Sequence, residues 1–257
     1  MTRILTRTNF HSSKLIRVLT DLALVDAAEP GAGFAEELSL WVDLNHAITL
    51  RTLHNASSTI TANPPVMPSM SQPVTCGATL REEFSRVRRS LVSAFEKNGA
   101  ASVARAHTEL HRSQAGESLD LAMAYEPFRR FYAAQQRDMG LNSRALRTQA
   151  RAALAEVSSA HKTLAHLDAT FDGALSDREG KLLATVPRLL ERRFAQRYKN
   201  HQQQLADAGQ DDHPALWMKP GAWLADFCQE LQAVLLAELD VRLQPTLGLM
   251  EAFDIKT

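Results

Sequence analysis

LAHLDATFDGALSDREGKLLATVPRLLERRFAQRY (Leu164–Tyr198) is the stretch on which the reading of this chain turns. At about 100° per residue, Leu182, Val186, Leu189, Leu190 and Phe194 share one helical face. Lys181, Arg188, Arg192 and Lys199 fall on the opposite face. Ser176 and Glu179 have the spacing of a capping box, which predicts a helix start near Asp177. Thr185-Val186-Pro187 predicts either a kink or a new helix with Thr185 as cap and the proline in its first turn. Arg193 and Arg197 break the segregation, because they project into the apolar arc, where a guanidinium needs a partner.

The C-terminal helix offers that partner. From Ala222 onward Trp223, Phe227, Leu231, Val234, Leu235 and Val241 form one apolar face. Glu238 lies inside it and Arg242 follows at i+4. We expect Arg193 or Arg197 to pair with Glu238 across a helix–helix contact. The alternative is a pair of arginines awaiting an acidic surface on another protein.

Upstream of the quoted stretch, Leu146, Ala150, Ala153, Val157, Ala160, Leu164, Leu167 and Phe171 recur in alternating steps of four and three. This heptad-like seam fits an antiparallel helical hairpin or a self-associating coiled coil. Gly140 is expected to separate it from the apolar run of Tyr125, Phe128, Phe131, Tyr132 and Met139. Thr79 and Glu82 form another capping box, followed by Leu80, Phe84, Val87, Leu91 and Phe95 on one face. Asn98-Gly99 should stop that helix, and a weaker Ala-rich helix should span 100–115. Period-two patterning is hard to find anywhere. The expected fold is all-α, a helical bundle with a long antiparallel hairpin and a small N-terminal helical unit.

Three segments follow. Residues 1–55 carry two helices, Asn9–Ala27 and Gly33–Asn55, around the Glu29-Pro30-Gly31 turn. Residues 56–78 form a connector, in which Pro64, Pro65, Pro68 and Pro73 oppose regular structure. Residues 79–257 form the main helical domain.

Lys+Arg and Asp+Glu both number 29 in the 257 residues, so no global basic coat exists. The charge is unevenly placed, however. Residues 1–78 hold 5 basic and 6 acidic residues, 79–201 hold 21 and 14, and 202–257 hold 3 and 9. A basic middle and an acidic tail can face each other within the fold or face different partners. Cys76 and Cys228 are too few for a cysteine zinc site and suit a reducing compartment. The start of the chain is polar, and nothing approaches the roughly 18–20 apolar residues of a spanning helix. A cytoplasmic protein that is not membrane-inserted is the expectation.

The search for chemistry finds little. His107 and His111 at i, i+4 could share a metal, but no third ligand is fixed. Asp168, Asp172 and Asp177 could form a metal-dependent nuclease cluster, although an acid at a helix start favours the dipole without one. No phosphate loop, dinucleotide fingerprint or nucleophile elbow occurs. No catalytic residue, metal or cofactor is expected. The basic residues Lys181, Arg188, Arg192 and Lys199, with Arg144, Arg147 and Arg151, are the expected phosphate contacts; the plainer reading is a solvated basic face.

The runs LDATFDGALSDREGKLLATVPRLLERRF (167–194) and LLAELDVRLQPTLGLMEAF (235–253), with FAEELSLWVDLNHAITL (34–50) and the proline-rich connector, resemble an uncharacterised proteobacterial helical family. Its members are encoded beside membrane proteins similar to flagellar stator channels, and the chain is similar to the F component of type III Zorya anti-phage defence. The resemblance implies a cytosolic, non-catalytic role beside a proton-driven membrane motor. It implies assembly with a companion cytosolic defence protein, and effectors that act on invading phage. No family catalytic residue carries over. Double-stranded DNA is the nucleic acid that the basic middle would meet; a structural adaptor without DNA binding and a metal-dependent nuclease are the alternatives.

Overall fold

The computed structural model describes residues 13–24, 51, 72–97, 99–113 and 120–253, the side chains of 72–76, 97, 106, 107 and 109–113 excepted. The helix expected over Gly33–Asn55, apart from Arg51, and most of the proline-rich connector lie outside these residues. The fold is an all-α helical bundle, as expected, with no strand among the described residues. The helices among the described residues are α1 (Lys14–Asp21), α2 (Gln72–Lys97), α3 (Ala100–Ser113), α4 (Leu121–Ala155), α5 (Ser159–Leu183), α6 (Val186–Ala208) and α7 (Trp223–Ala252), with a short 3-10 turn at Pro214–Leu216.

Contacts divide the chain into two compact units. The first comprises Met1–Ala28, Leu91–Met139 and Val186–Arg242; the second comprises Glu29–Ser90, Gly140–Thr185 and Leu243–Thr257. Helices α2, α4 and α7 each supply residues to both. Helix α1 thus belongs to the first unit, where the sequence had suggested a separate N-terminal unit. Leu15 and Leu19 bury its inner face, and Lys14 Nζ reaches Asp240 of α7 at 2.7 Å. It is shorter than expected because Ala23 takes a left-handed conformation (φ 53°) that ends the helical hydrogen bonding.

An aromatic cluster forms the centre of the first unit. Tyr125 and Phe128 of α4, Phe194 of α6 and Phe227 of α7 are all but fully buried. Their ring centroids lie 5.1–6.4 Å apart, mostly tilted or edge-to-face, the spacing that aromatic quadrupoles favour. Tyr125 Oη donates to the Pro187 carbonyl at 2.6 Å and so ties the start of α4 to the start of α6.

In the second unit α5 returns antiparallel along the second half of α4. Ser158 caps α5 by accepting the His161 backbone N–H. His161 is buried, with Nε2 at 3.1 Å from the Ala252 carbonyl and Nδ1 at 2.7 Å from Ser158 Oγ. A carbonyl only accepts, so Nε2 carries a proton and clips the hairpin turn to the end of α7. The long hairpin expected from the seam is present, but the seam is interrupted: Val157 sits in the turn, Ala160 is exposed and Leu164 is 38% exposed. Leu146, Ala150 and Leu154 carry the buried face instead.

Several expected helix ends are displaced. Gly140 does not break α4, and the Ser176/Glu179 box does not start a helix, because α5 runs through it. Helix α2 begins at Gln72 rather than Thr79, with Pro73 in its first turn, where a missing N–H costs nothing. Cys76 accordingly falls in a helix, not in a connector. Near Pro187 the helical run bends: α5 ends at Leu183 and α6 starts at Val186 with Pro187 in its first turn, but Thr185 does not serve as the expected cap, because its hydroxyl donates back to the Leu182 carbonyl at 2.6 Å. Leu182, placed on the apolar face by its spacing, is 63% exposed. It lies in the last turn of α5, so the wheel drawn through the break assigned it to a helix that it does not share.

Gly99, between α2 and α3, is required sterically. A Cβ there would stand 2.4 Å from the Phe95 carbonyl oxygen. Phe194→Ala should destabilise the protein by about 3–5 kcal/mol and Leu182→Ala by less than about 0.5 kcal/mol. Chemical denaturation of the two variants reads the contrast.

Candidate functional site

The basic residues sort by what they face. Arg193 and Arg197 sit one turn apart on the inner side of α6. Arg193 Nε and Nη2 donate to the two carboxylate oxygens of Glu230 on α7 at 2.8 and 2.6 Å. Arg197 donates to Glu230 from Nε at 3.2 Å and also from Nη2, while its Nη1 reaches Asp226 at 3.3 Å. Both arginines therefore pair with α7, as expected, but not with Glu238. The pairing corrects the expected partner: Glu238 lies eight residues beyond Glu230, about 12 Å further along the helix.

Glu238 has its own partners. It is 0% exposed. It accepts from Tyr132 Oη at 2.7 Å, from Gln136 Nε2 at 3.0 and 3.1 Å, and from Arg242 Nε and Nη2 at 2.9 and 2.7 Å. Both carboxylate oxygens are engaged, which is what lets an ion remain buried. Burial, first, and then the adjacent Glu238 charge push the Tyr132 phenol well above its ordinary pKa, so it stays a donor.

The second unit repeats the pattern of the α6–α7 pairing. Arg147 and Arg151 on α4 face Asp168 and Asp172 on α5. Arg147 holds Asp168 through Nη2 and Nε at 2.7 and 2.9 Å, and Asp172 through Nη1 at 2.8 Å. Arg151 reaches both aspartates at 2.6 Å. This closed ring corrects one expectation and bears on one alternative. Arg147 and Arg151 are not available as phosphate contacts, and Asp168 and Asp172 are not open to a metal. Asp177 is exposed and apart from them. Among the described residues no group of three His, Cys, Asp or Glu side chains is placed to hold a metal. The side chains of His107 and His111 lie outside the described ones.

What is left outward-facing is a smaller basic set. On α6, Arg188, Arg192 and Lys199 are exposed and have no ion-pair partner among the described residues. In the second unit Lys181 and Arg144 are likewise exposed and unpaired among those residues. The α6 residues share one face at i, i+4 and i+11, along about 16 Å of helix.

A second feature of the first unit is a hollow of about 220 Å³ beside the 3-10 turn, lined by His201, Asp212 and His213 among others. Asp212 is already occupied: it accepts from Trp217 Nε1 at 2.7 Å, Gln202 Nε2 at 2.7 Å and His201 Nε2 at 3.0 Å. Those contacts fasten the loop between α6 and α7 back onto α6. Cys228 is buried, and burial pushes its thiol up to about 12, so it is an inert core residue. No helix among the described residues is long and apolar enough to cross a membrane.

Asp226 and Glu230 were not singled out by sequence, although the signal was there. They stand at i, i+4, matching Arg193 and Arg197 on the antiparallel helix, just as Asp168/Asp172 match Arg147/Arg151.

Fold and site together define an all-α chain in which Arg147, Arg151, Arg193 and Arg197 are paired with carboxylates and the outer side of α6 carries exposed cations. The chain belongs to the DUF3348 family, described as a protein of unknown function, which it matches over residues 1–255. No curated protein and no solved structure matches it.

The paired carboxylates set an acid response. Burial raises the pKa of Asp168, but hydrogen bonds from Arg147 and Arg151 and then their charges outweigh it and hold it below the usual carboxylate range. Glu230 is lowered in the same way by Arg193 and Arg197 against its burial. A depressed folded pKa stabilises above the unfolded value, about 4, and that stability is lost as pH falls through the folded pKa. Unfolding midpoints from pH 6 down to about 2 should therefore fall more steeply for the native chain than for Asp168→Asn. Arg242→Ala, which strands the Glu238 charge, should cost about 3–5 kcal/mol at neutral pH.

Proposed function

We propose that this chain is a non-catalytic component of a type III Zorya-like anti-phage system, and that it contacts duplex DNA through the outer face of α6. In that setting it assembles with a companion cytosolic protein beside a stator-like membrane motor. The observation that carries the DNA contact is the exposed run of Arg188, Arg192 and Lys199, cations with no ion-pair partner among the described residues. Unneutralised cations on one helix face release condensed counterions when they meet phosphates, which is the main source of sequence-independent DNA affinity. The sequence resemblance supplies the defence context.

The nuclease alternative needs Asp168 and Asp172 free to bind a metal. Two arginines grip each of them, which favours the non-catalytic reading. The adaptor without DNA binding gains support from the same ring, since Arg147 and Arg151 are withdrawn from the surface. The two readings separate on salt dependence. Binding of a short mixed-sequence duplex should weaken linearly in log salt, and Arg188→Ala, Arg192→Ala and Lys199→Ala should each reduce the slope by about 1. A chain that binds no duplex at low salt, alone or with its companion, is an adaptor.

A further inference from the structure

We propose that the phosphate-contacting surface extends from α6 onto α4, where Glu126 holds Arg129 and Arg130 as a preset pair of guanidinium forks for the same DNA backbone. This rests on the DNA reading of α6 and adds a second helix to it. Arg129 Nε donates to Glu126 Oε2 at 2.6 Å and Arg130 Nε donates to Oε1 at 2.8 Å. Each arginine is thus anchored through Nε alone. Its two terminal nitrogens have no partner among the described residues, and its side chain is 57% or 78% exposed. A guanidinium fixed at Nε presents its outer edge to a phosphate with less rotamer freedom to lose than a free arginine.

The two helices bring these groups to one region of the first unit. Tyr125 Oη is bonded to the Pro187 carbonyl at 2.6 Å. Arg129 stands one turn beyond Tyr125 on α4, and Arg188 follows Pro187 directly on α6. Glu191, between Arg188 and Arg192, is near enough to Arg129 for its charge to act on it. Counting Arg129, Arg130, Arg188 and Arg192 against Glu126 and Glu191 gives 4 − 2 = +2 on adjoining helices. A repeating phosphodiester fits this surface better than a single anion does, because the cations are spread over two helices rather than converging on one point. Met123, 72% exposed near Arg130 and Glu126, makes an anionic membrane the rival occupant to be tested.

The full-length chain, the Arg129→Ala/Arg130→Ala double variant and the Arg188→Ala/Arg192→Ala double variant are titrated with a labelled mixed-sequence duplex across a potassium chloride series. Lys219→Ala, an exposed cation elsewhere in the first unit, reports the effect of net charge alone. Circular dichroism confirms that each variant is helical, and the matching double Arg→Gln variant, which removes the same two charges, replaces an arginine double that is not. Each arginine double should lower the salt slope by about 2, with Lys219→Ala at the native slope. If the α6 double loses slope and the α4 double keeps it, the extension is overturned and the α6 reading stands. Native slopes for both doubles overturn the α6 reading and the extension with it. Binding to phosphatidylserine vesicles but not to duplex also overturns the proposal.

Discussion

An arginine pair at i, i+4 facing a carboxylate pair at i, i+4 is the interaction on which this molecule depends, and among the described residues each unit holds one. Arg193 and Arg197 meet Asp226 and Glu230 in the first; Arg147 and Arg151 meet Asp168 and Asp172 in the second. On antiparallel helices equal spacing lets two residues of one helix meet two of the other, so each guanidinium bridges both acids or shares one. Such part-buried rings contribute modestly as net energy, since desolvation offsets much of the attraction. Their larger effect is on specificity, because slipping either helix by one turn would leave charges unpaired inside an apolar interface. In the first unit the tail acids Asp226 and Glu230 take Arg193 and Arg197 from the basic middle, while Asp240 takes Lys14 and Glu238 takes Arg242.

Apolar packing and these rings divide the work between them. The cluster of Tyr125, Phe128, Phe194 and Phe227 supplies the buried area, and Glu238 sits within the same unit as a fully buried ion satisfied by a phenol, an amide and a guanidinium. The aromatic packing favours compaction with little directional preference, whereas Glu238 accepts one arrangement of Tyr132, Gln136 and Arg242. That combination makes α4, α6 and α7 a defined platform. The outward cations of α6 and the Glu126-anchored arginines of α4 are carried on helices whose inner faces are set by this core.

Much of the fold could be read from spacing. Periodicity located α6 and α7, Pro187 marked the start of α6, and Gly99 ended α2. Capping signals did not always mark a start: Ser176 and Glu179 have the spacing of one, yet α5 runs through them, although no residue between Ala165 and Leu183 is buried. Gly140 is tolerated inside α4, where the buried face continues from Met139 to Ser143 and Leu146. The inward direction of Arg193 and Arg197 was legible from the helical wheel, but not their partner, because a wheel gives a residue's face and not the register of the opposing helix. Arg147 and Arg151 show the converse. Each looked like a surface cation until the hairpin turn at Val157 placed α5, and with it Asp168 and Asp172, against them.

The division between inward and outward arginines sets which guanidinium groups a reagent or a phosphate can reach. Dicarbonyl labelling of arginine side chains, read residue by residue by mass spectrometry with and without duplex DNA, tests it in one measurement. In the free chain Arg188 and Arg192 should react quickly and Arg147, Arg151, Arg193 and Arg197 slowly; duplex should protect Arg188 and Arg192 and leave the slow set unchanged. Fast labelling of Arg193 and Arg197 in the free protein, or duplex protection confined to Arg147 and Arg151, would contradict it.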